Sequence, residues 1–226
     1  MDAAYHSLAA RLQQQWAKKQ VEGDGSRLLV ALAGPPGSGK TTIAHRVAKL
    51  VSASPNAPSI IVISADGFHL PLTTLRSWPN PAEALARRGA PWTFDGAAIA
   101  ALARNLRNTD EAIVCPTFDH AIKDPVKDGL IVDRDTQICI LEGNYLLSDE
   151  EPWREIADLV DERWLIQVDT DLARKRVALR HIQAGIEDTI EAAYKRVDTN
   201  DMVNGDYVAT RSQGRYDLLI TSVEEN

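Results

Sequence analysis

Residues 34–42 read GPPGSGKTT, so Gly34 is followed after four residues by Gly39, Lys40 and Thr41. Glycines in this pattern let successive backbone N–H groups turn inward toward an anion. A helix starting near Lys40 adds the positive end of its dipole. The chemistry that fits is the cradling of nucleotide phosphates by Gly34, Gly37, Ser38, Gly39, Lys40, Thr41 and Thr42. Lys40 would reach the β and γ phosphates, and the Thr41 hydroxyl would ligate Mg²⁺. Pro35 and Pro36 lack N–H groups, but they precede the main donors, which begin at Gly37. The bland alternative is a Gly/Pro turn carrying an exposed lysine.

A phosphate cradle alone does not separate hydrolysis, switching and phosphoryl transfer; carboxylates and cations around it must do that. ISADGFHL ends an apolar run on Asp66, which could take a proton from a hydroxyl or hold metal-bound water. It could equally cap a turn ahead of Gly67. CILEGNYLL ends another apolar run on Glu142, placed for Mg²⁺ directly or through water, or else an ordinary strand-end acid. Arg176 and Arg180 lie four apart and so share a helix face, with Arg174 and His181 close by. Such a face could close over a nucleotide, or simply be solvated.

These residues need a scaffold, and the chain alternates between strand-like and helix-like segments. Apolar strands are expected at 27–33, 60–66, 111–119, 137–144, 162–169 and 216–222, and helices at 40–52, 96–108 and mainly across 171–203. Tyr5, Leu8, Leu12 and Trp16 recur at helical spacing over residues 3–20, an amphipathic amino-terminal helix within 1–22. EGDGS (22–26) and SPNAPS (54–59) read as connectors, and the Pro-rich 67–95 should break any long element. The expectation is an α/β fold, a parallel sheet covered by helices on both faces, with one main domain over 27–226 and a helical lid at about 171–203.

Bulk properties exclude other classes. The chain has 226 residues, a formal charge of −7, 44% hydrophobic and 25% charged residues. The negative charge argues against nucleic-acid binding. No apolar run approaches the roughly 18 residues of a membrane span, and residues 1–19 carry no apolar signal core. Cys115 and Cys139 each sit in an apolar run, as reduced packing residues of a cytoplasmic protein would.

The blocks GPPGSGKT, SADGFHL, RRGAPWTFD, PTFDHAIKDPV and ILEGNYLL, in this order, resemble the P-loop kinase family of pantothenate kinase, uridine kinase and phosphoribulokinase. The likeness is greatest to its poorly defined members, fructose-transport-type kinases of bacteria and uridine-kinase-like ATPases of fungi. It covers about residues 27–222. It implies a P-loop kinase fold with a five-stranded, mainly parallel sheet and a helical lid. It also implies ATP and Mg²⁺, Asp66 as the base toward the acceptor, Glu142 beside the magnesium, and lid arginines Arg176 and Arg180 acting on the transferred group.

The resemblance places the acceptor near Phe68, His69, Arg88, Phe94 and Asp95, near Phe118 and His120, and near Asn144 and Tyr145 of the EGNYLL block. It puts Asn200 and Asn204 after the lid, and TSVEE (221–225) by the adenine. Two departures matter. Phe118 stands where the family commonly has Tyr, and AIKD replaces the Ser-Arg that follows the histidine in uridine kinases, so nucleoside recognition does not carry over. Three readings follow: a small-molecule kinase, monomeric or homodimeric; an ATPase with a regulatory role; and a GTPase-type switch, disfavoured because no Asn/Thr-Lys-x-Asp guanine signature is found.

Overall fold

The computed structural model describes residues 1–23, 25–53 and 56–224, so the expected connectors at 22–26 and 54–59 lie partly outside the described residues. In chain order come α1 (Asp2–Glu22), β1 (Leu28–Ala33), α2 (Lys40–Ser52), β2 (Ile60–Ser64), α3 (Leu72–Arg76), α4 (Pro81–Ala86) and α5 (Gly96–Asn105). Then follow β3 (Ile113–Asp119), β4 (Asp124–Val132), β5 (Ile138–Gly143), α6 (Ile156–Leu159) and β6 (Glu162–Val168). Helices α7 (Thr170–Gln183), α8 (Ile190–Arg196) and α9 (Met202–Arg211) lead to β7 (Leu218–Ser222).

Five strands form one sheet in the order β2-β5-β1-β6-β7, and every pairing in it is parallel. Strands β1 and β5 are buried at every residue, as strands covered on both faces must be. One side of the sheet packs Leu29, Ile63, Leu141 and Leu165 against α5 and its neighbours. The other packs Leu28, Val30, Leu32 and Trp164 against α1 and α2.

One expected sheet strand is elsewhere. β3 leaves the main sheet and pairs antiparallel with β4, in a two-stranded ribbon. Pro116 has no N–H to donate, and the register shifts between Cys115 and Thr117, so β3 is unsuited to a central position. β4 was not expected from the sequence at all. The 67–95 segment is not structureless either: Pro71 and Pro81 stand at the starts of α3 and α4, where proline is tolerated.

Helix α1 belongs to the core. Tyr5, Leu8, Ala9 and Leu12 are buried in one cluster with Ile43 and Val47 of α2. Arg11 makes a two-pronged contact with Glu162 at 2.8 and 3.0 Å, and Lys19 reaches Asp161 at 3.1 Å. Leu12 is fully buried, so Leu12→Ala should cost about 2–5 kcal/mol of stability. Denaturant unfolding measures this; a loss well under about 1 kcal/mol would show α1 to be an appendage. Both cysteines are free and buried, and burial pushes their thiols up, Cys115 to about 11 and Cys139 to about 12. Among the described residues no helix is long and apolar enough to cross a membrane.

Candidate active site

The cradle is built where β1 turns into α2. Gly37 and Gly39 take φ of 77° and 85°, conformations that favour glycine. A Cβ on Gly37 would meet the Ala173 carbonyl oxygen at 2.6 Å, so this glycine also lets α7 pack close to the loop. The first-turn N–H groups of α2 have no intrahelical partners and are available to an anion. The Ser38 hydroxyl is buried without a hydrogen-bond partner, as a group built to meet a ligand oxygen would be. Lys40 is half-buried, and its ammonium donates to the Pro35 carbonyl at 3.1 Å. Burial pulls it down to about 8, opposed by the charges of Glu142 and Asp66 and assisted by Arg180.

Strand order brings the two expected carboxylates to this loop, since β5 lies beside β1 and β2 beside β5. Glu142 pairs in register with Leu32 on one side and Ser64 on the other. It is 3% exposed and accepts from the Thr41 hydroxyl at 3.2 Å. Burial and then the charge of Asp66 push its carboxyl up, while Lys40 and hydrogen bonds from Ser64 and Thr41 pull it down.

Asp66 is not the last residue of a strand. It lies in a single 3₁₀ turn, Ala65–Phe68, whose start is capped by the Ser64 hydroxyl accepting from the Asp66 N–H. A Cβ on Gly67 would lie 2.2 Å from the Pro116 carbonyl oxygen, so only glycine lets this turn press against β3. The Asp66 side chain is half exposed.

The oxygens of Thr41, Glu142 and Asp66 are the hard donors that Mg²⁺ takes. Among the described residues no group of three or more His, Cys, Asp and Glu could hold a metal ion alone. Mg²⁺ bound here would therefore complete its shell with phosphate oxygens and water, its usual habit.

The expected acceptor residues divide. His69, Phe94 and Phe118 do meet, with ring centroids 3.9 Å (His69–Phe94) and 4.9 Å (His69–Phe118) apart, and exposed His120 sits 5.2 Å from the Phe118 ring. Burial lowers the His69 pKa, with Asp66 opposing and Arg88 and His120 assisting. Arg88 is committed: it pairs with Asp124 at 2.8 Å and donates to the carbonyls of Leu70 and Lys123.

Asp95 instead caps α5 through the Ala98 N–H at 2.9 Å. Phe68 is core. So is Tyr145, whose hydroxyl donates to the Gly89 carbonyl at 2.5 Å while its ring meets Phe94, Trp153 and Tyr207. Half-buried Asn144 hydrogen-bonds to Tyr145.

The lid arginines take different posts. Arg176 donates to Gly37 O at 3.2 Å, Ser222 Oγ at 2.9 Å and Val223 O at 2.7 Å, locking α7 to the loop and to the end of β7. Arg180 is exposed, and its charge is felt at Lys40. Arg174 turns away to a bidentate contact with Asp198, over the Tyr194 ring.

Val177, Ala178, Ala193 and Val197 give the lid a small core of its own. It ends in a π turn, Val197–Asp201, after which α9 rejoins the main body through Val208. Sequence reasoning missed Arg87, which reaches Thr199 O at 2.8 Å and Asn204 Oδ1 at 3.2 Å, and Asn200 donates to Arg88 O at 3.1 Å. The base of the lid is thereby tied to the RRG segment.

Fold and cradle together define a P-loop kinase. The comparisons agree. No family model matches the chain. It is 42% identical over 183 residues to "Putative uridine kinase C227.14" of Schizosaccharomyces pombe, covering 80% of this chain and 78% of that protein. It is 33% identical over 230 residues to "ATP-dependent kinase YFH7" of Kluyveromyces lactis, covering 84% of this chain and 64% of the relative. Among solved structures, a "putative fructose transport system kinase" from Silicibacter sp. TM1040 superposes with a TM-score of 0.80 at 31% identity, over 94% of this chain and 98% of that one. The chain belongs to this uridine-kinase-like family of P-loop kinases.

Proposed function

We propose that the protein transfers the γ-phosphoryl group of ATP, with Mg²⁺, to a hydroxyl of a small metabolite: a nucleoside, a sugar or a pantothenate-like alcohol. The supporting observation is that Asp66 and Glu142 both act electrostatically on Lys40, while the Asp66 turn also adjoins the His69–Phe94–Phe118 aromatic group. In this reading one carboxylate serves both the phosphate cradle and the acceptor. Asp66 takes the hydroxyl proton as that oxygen bonds to the γ-phosphorus and the bond to the β–γ bridging oxygen breaks. Lys40 and Arg180 offset charge on the moving group. Thr41 and Glu142, with Asp66 nearby, would hold Mg²⁺, which neutralises phosphate charge when bound.

A second reading, an ATPase without a small acceptor, is favoured by the commitment of Arg88, Asp95 and Tyr145 to contacts within the protein. The two are separated by measuring ATP consumption across a panel of nucleosides, sugars, pantothenate and glycerate. The kinase reading expects one class to raise consumption and yield a phosphorylated product by mass spectrometry. Equal hydrolysis across the panel, with no such product, would replace it by the ATPase.

A further inference from the structure

A cavity of about 390 Å³ opens beside the cradle, lined by none of Asp66's aromatic neighbours. Its walls come from four distant parts of the chain: Tyr5 of α1, Gly39 and Thr42 of the loop and α2, Arg176 of α7, and Val223 and Glu224 after β7. It shares Gly39 and Thr42 with the phosphate cradle, so a nucleotide held there has room to extend into it. The TSVEE segment lines it through Ser222, Val223 and Glu224; residue 225 lies outside the described residues.

From this we infer that the amino-terminal helix is part of the nucleotide site, with Tyr5 forming a wall against a purine base and acting as a residue that decides which nucleotide is held. The inference rests on the proposed ATP-binding reading and adds the element that selects the base.

Four observations support the assignment. The cavity is of the size that small-ligand sites have, and its lining joins aromatic and aliphatic groups to polar ones. Arg176 is held by its three hydrogen bonds, so its planar guanidinium is preorganised to lie against a flat base. Tyr5 is equally fixed, because it is buried in the cluster that joins α1 to Ile43 of α2, another residue of the cavity wall. A rigid aromatic group and a rigid guanidinium lining one cavity suit a planar, bicyclic ligand. Glu224, which shares an edge of the cavity and pairs with Lys175 at 3.0 Å, is an acceptor for a base that presents an amino group.

The test uses the full chain and measures binding of ATP, CTP and inorganic tripolyphosphate, each with Mg²⁺, to the wild type and to Tyr5→Phe, Tyr5→Ala and Glu224→Gln. Tyr5→Ala should weaken ATP about tenfold, the scale of losing an aromatic contact to a base, and narrow the preference of ATP over CTP. Tripolyphosphate, which has no base, should bind Tyr5→Ala as it binds the wild type, and Tyr5→Phe should restore ATP binding.

An unchanged ATP-to-CTP ratio in Tyr5→Ala overturns the inference, as does an equal loss of ATP and tripolyphosphate, which marks a structural effect. If Tyr5→Ala does not fold, Glu224→Gln decides: it should weaken ATP relative to tripolyphosphate, which has no base, and an unchanged ratio of those two overturns the assignment of this cavity to the base. Lys40→Ala is the control for the underlying reading. It should lose tripolyphosphate as well as ATP, and if it keeps both, the phosphate site itself is misplaced whatever Tyr5 does.

Discussion

Asp66→Asn is expected to lower phosphoryl transfer by about 10²–10⁴-fold, the usual worth of a general base, while ATP binding stays largely intact. The substitution keeps size and shape and removes the proton-accepting charge. The turn that carries the residue should survive, because its cap uses the Asp66 N–H and the Ser64 hydroxyl, neither of which changes. The side chain is half exposed, so the new amide meets water rather than a dry pocket. Single-turnover transfer and calorimetric ATP titration check the two halves of the expectation. If ATP binding falls with transfer, Asp66 is a metal-holding or structural residue, and the assignment of its proton-accepting role fails. If neither changes, the base lies elsewhere.

The donor half of this site was legible in the sequence because its determinants are local. The Gly-rich run, the strand before it and the helix after it are contiguous, and α2 spans 40–52 as the pattern predicted. Asp66 and Glu142 were legible as the ends of apolar runs, although their nearness to each other needed the β2-β5-β1 strand order.

What was not legible is assembled across the chain. β4 alternates too poorly to read as a strand; its exposed middle, Val126–Gly129, faces no core, and it exists by pairing with β3. Arg88 looked like a free cation for an acceptor, but Asp124, 36 residues away, takes it. Asp95 and Tyr145 fall in motif blocks, yet one caps a helix and the other fills a core. Motif position names a neighbourhood; only the fold decides which side chains in it are already spoken for.

Lys40→Ala should reduce ATP turnover by about 10²–10³-fold, the scale of removing one preorganised charge-stabilising donor, whether or not an acceptor is present. That independence separates it from Asp66→Asn, which should act only on transfer. Lys40 both faces the phosphate cradle and pulls the Glu142 carboxyl down, so its loss acts twice. The phosphates lose an ammonium, and Glu142, already pushed up by burial and by Asp66, loses the charge that pulls it down. A more protonated Glu142 is a poorer partner for Mg²⁺, so the variant should also need more Mg²⁺ for whatever activity remains. The helix itself should persist, because Ile43, Ala44, Val47 and Val51 anchor α2 in the core, and a thermal melt checks that it does. Wild-type turnover in a folded Lys40→Ala protein would remove the kinase and the ATPase readings together, since both rest on the same phosphate cradle.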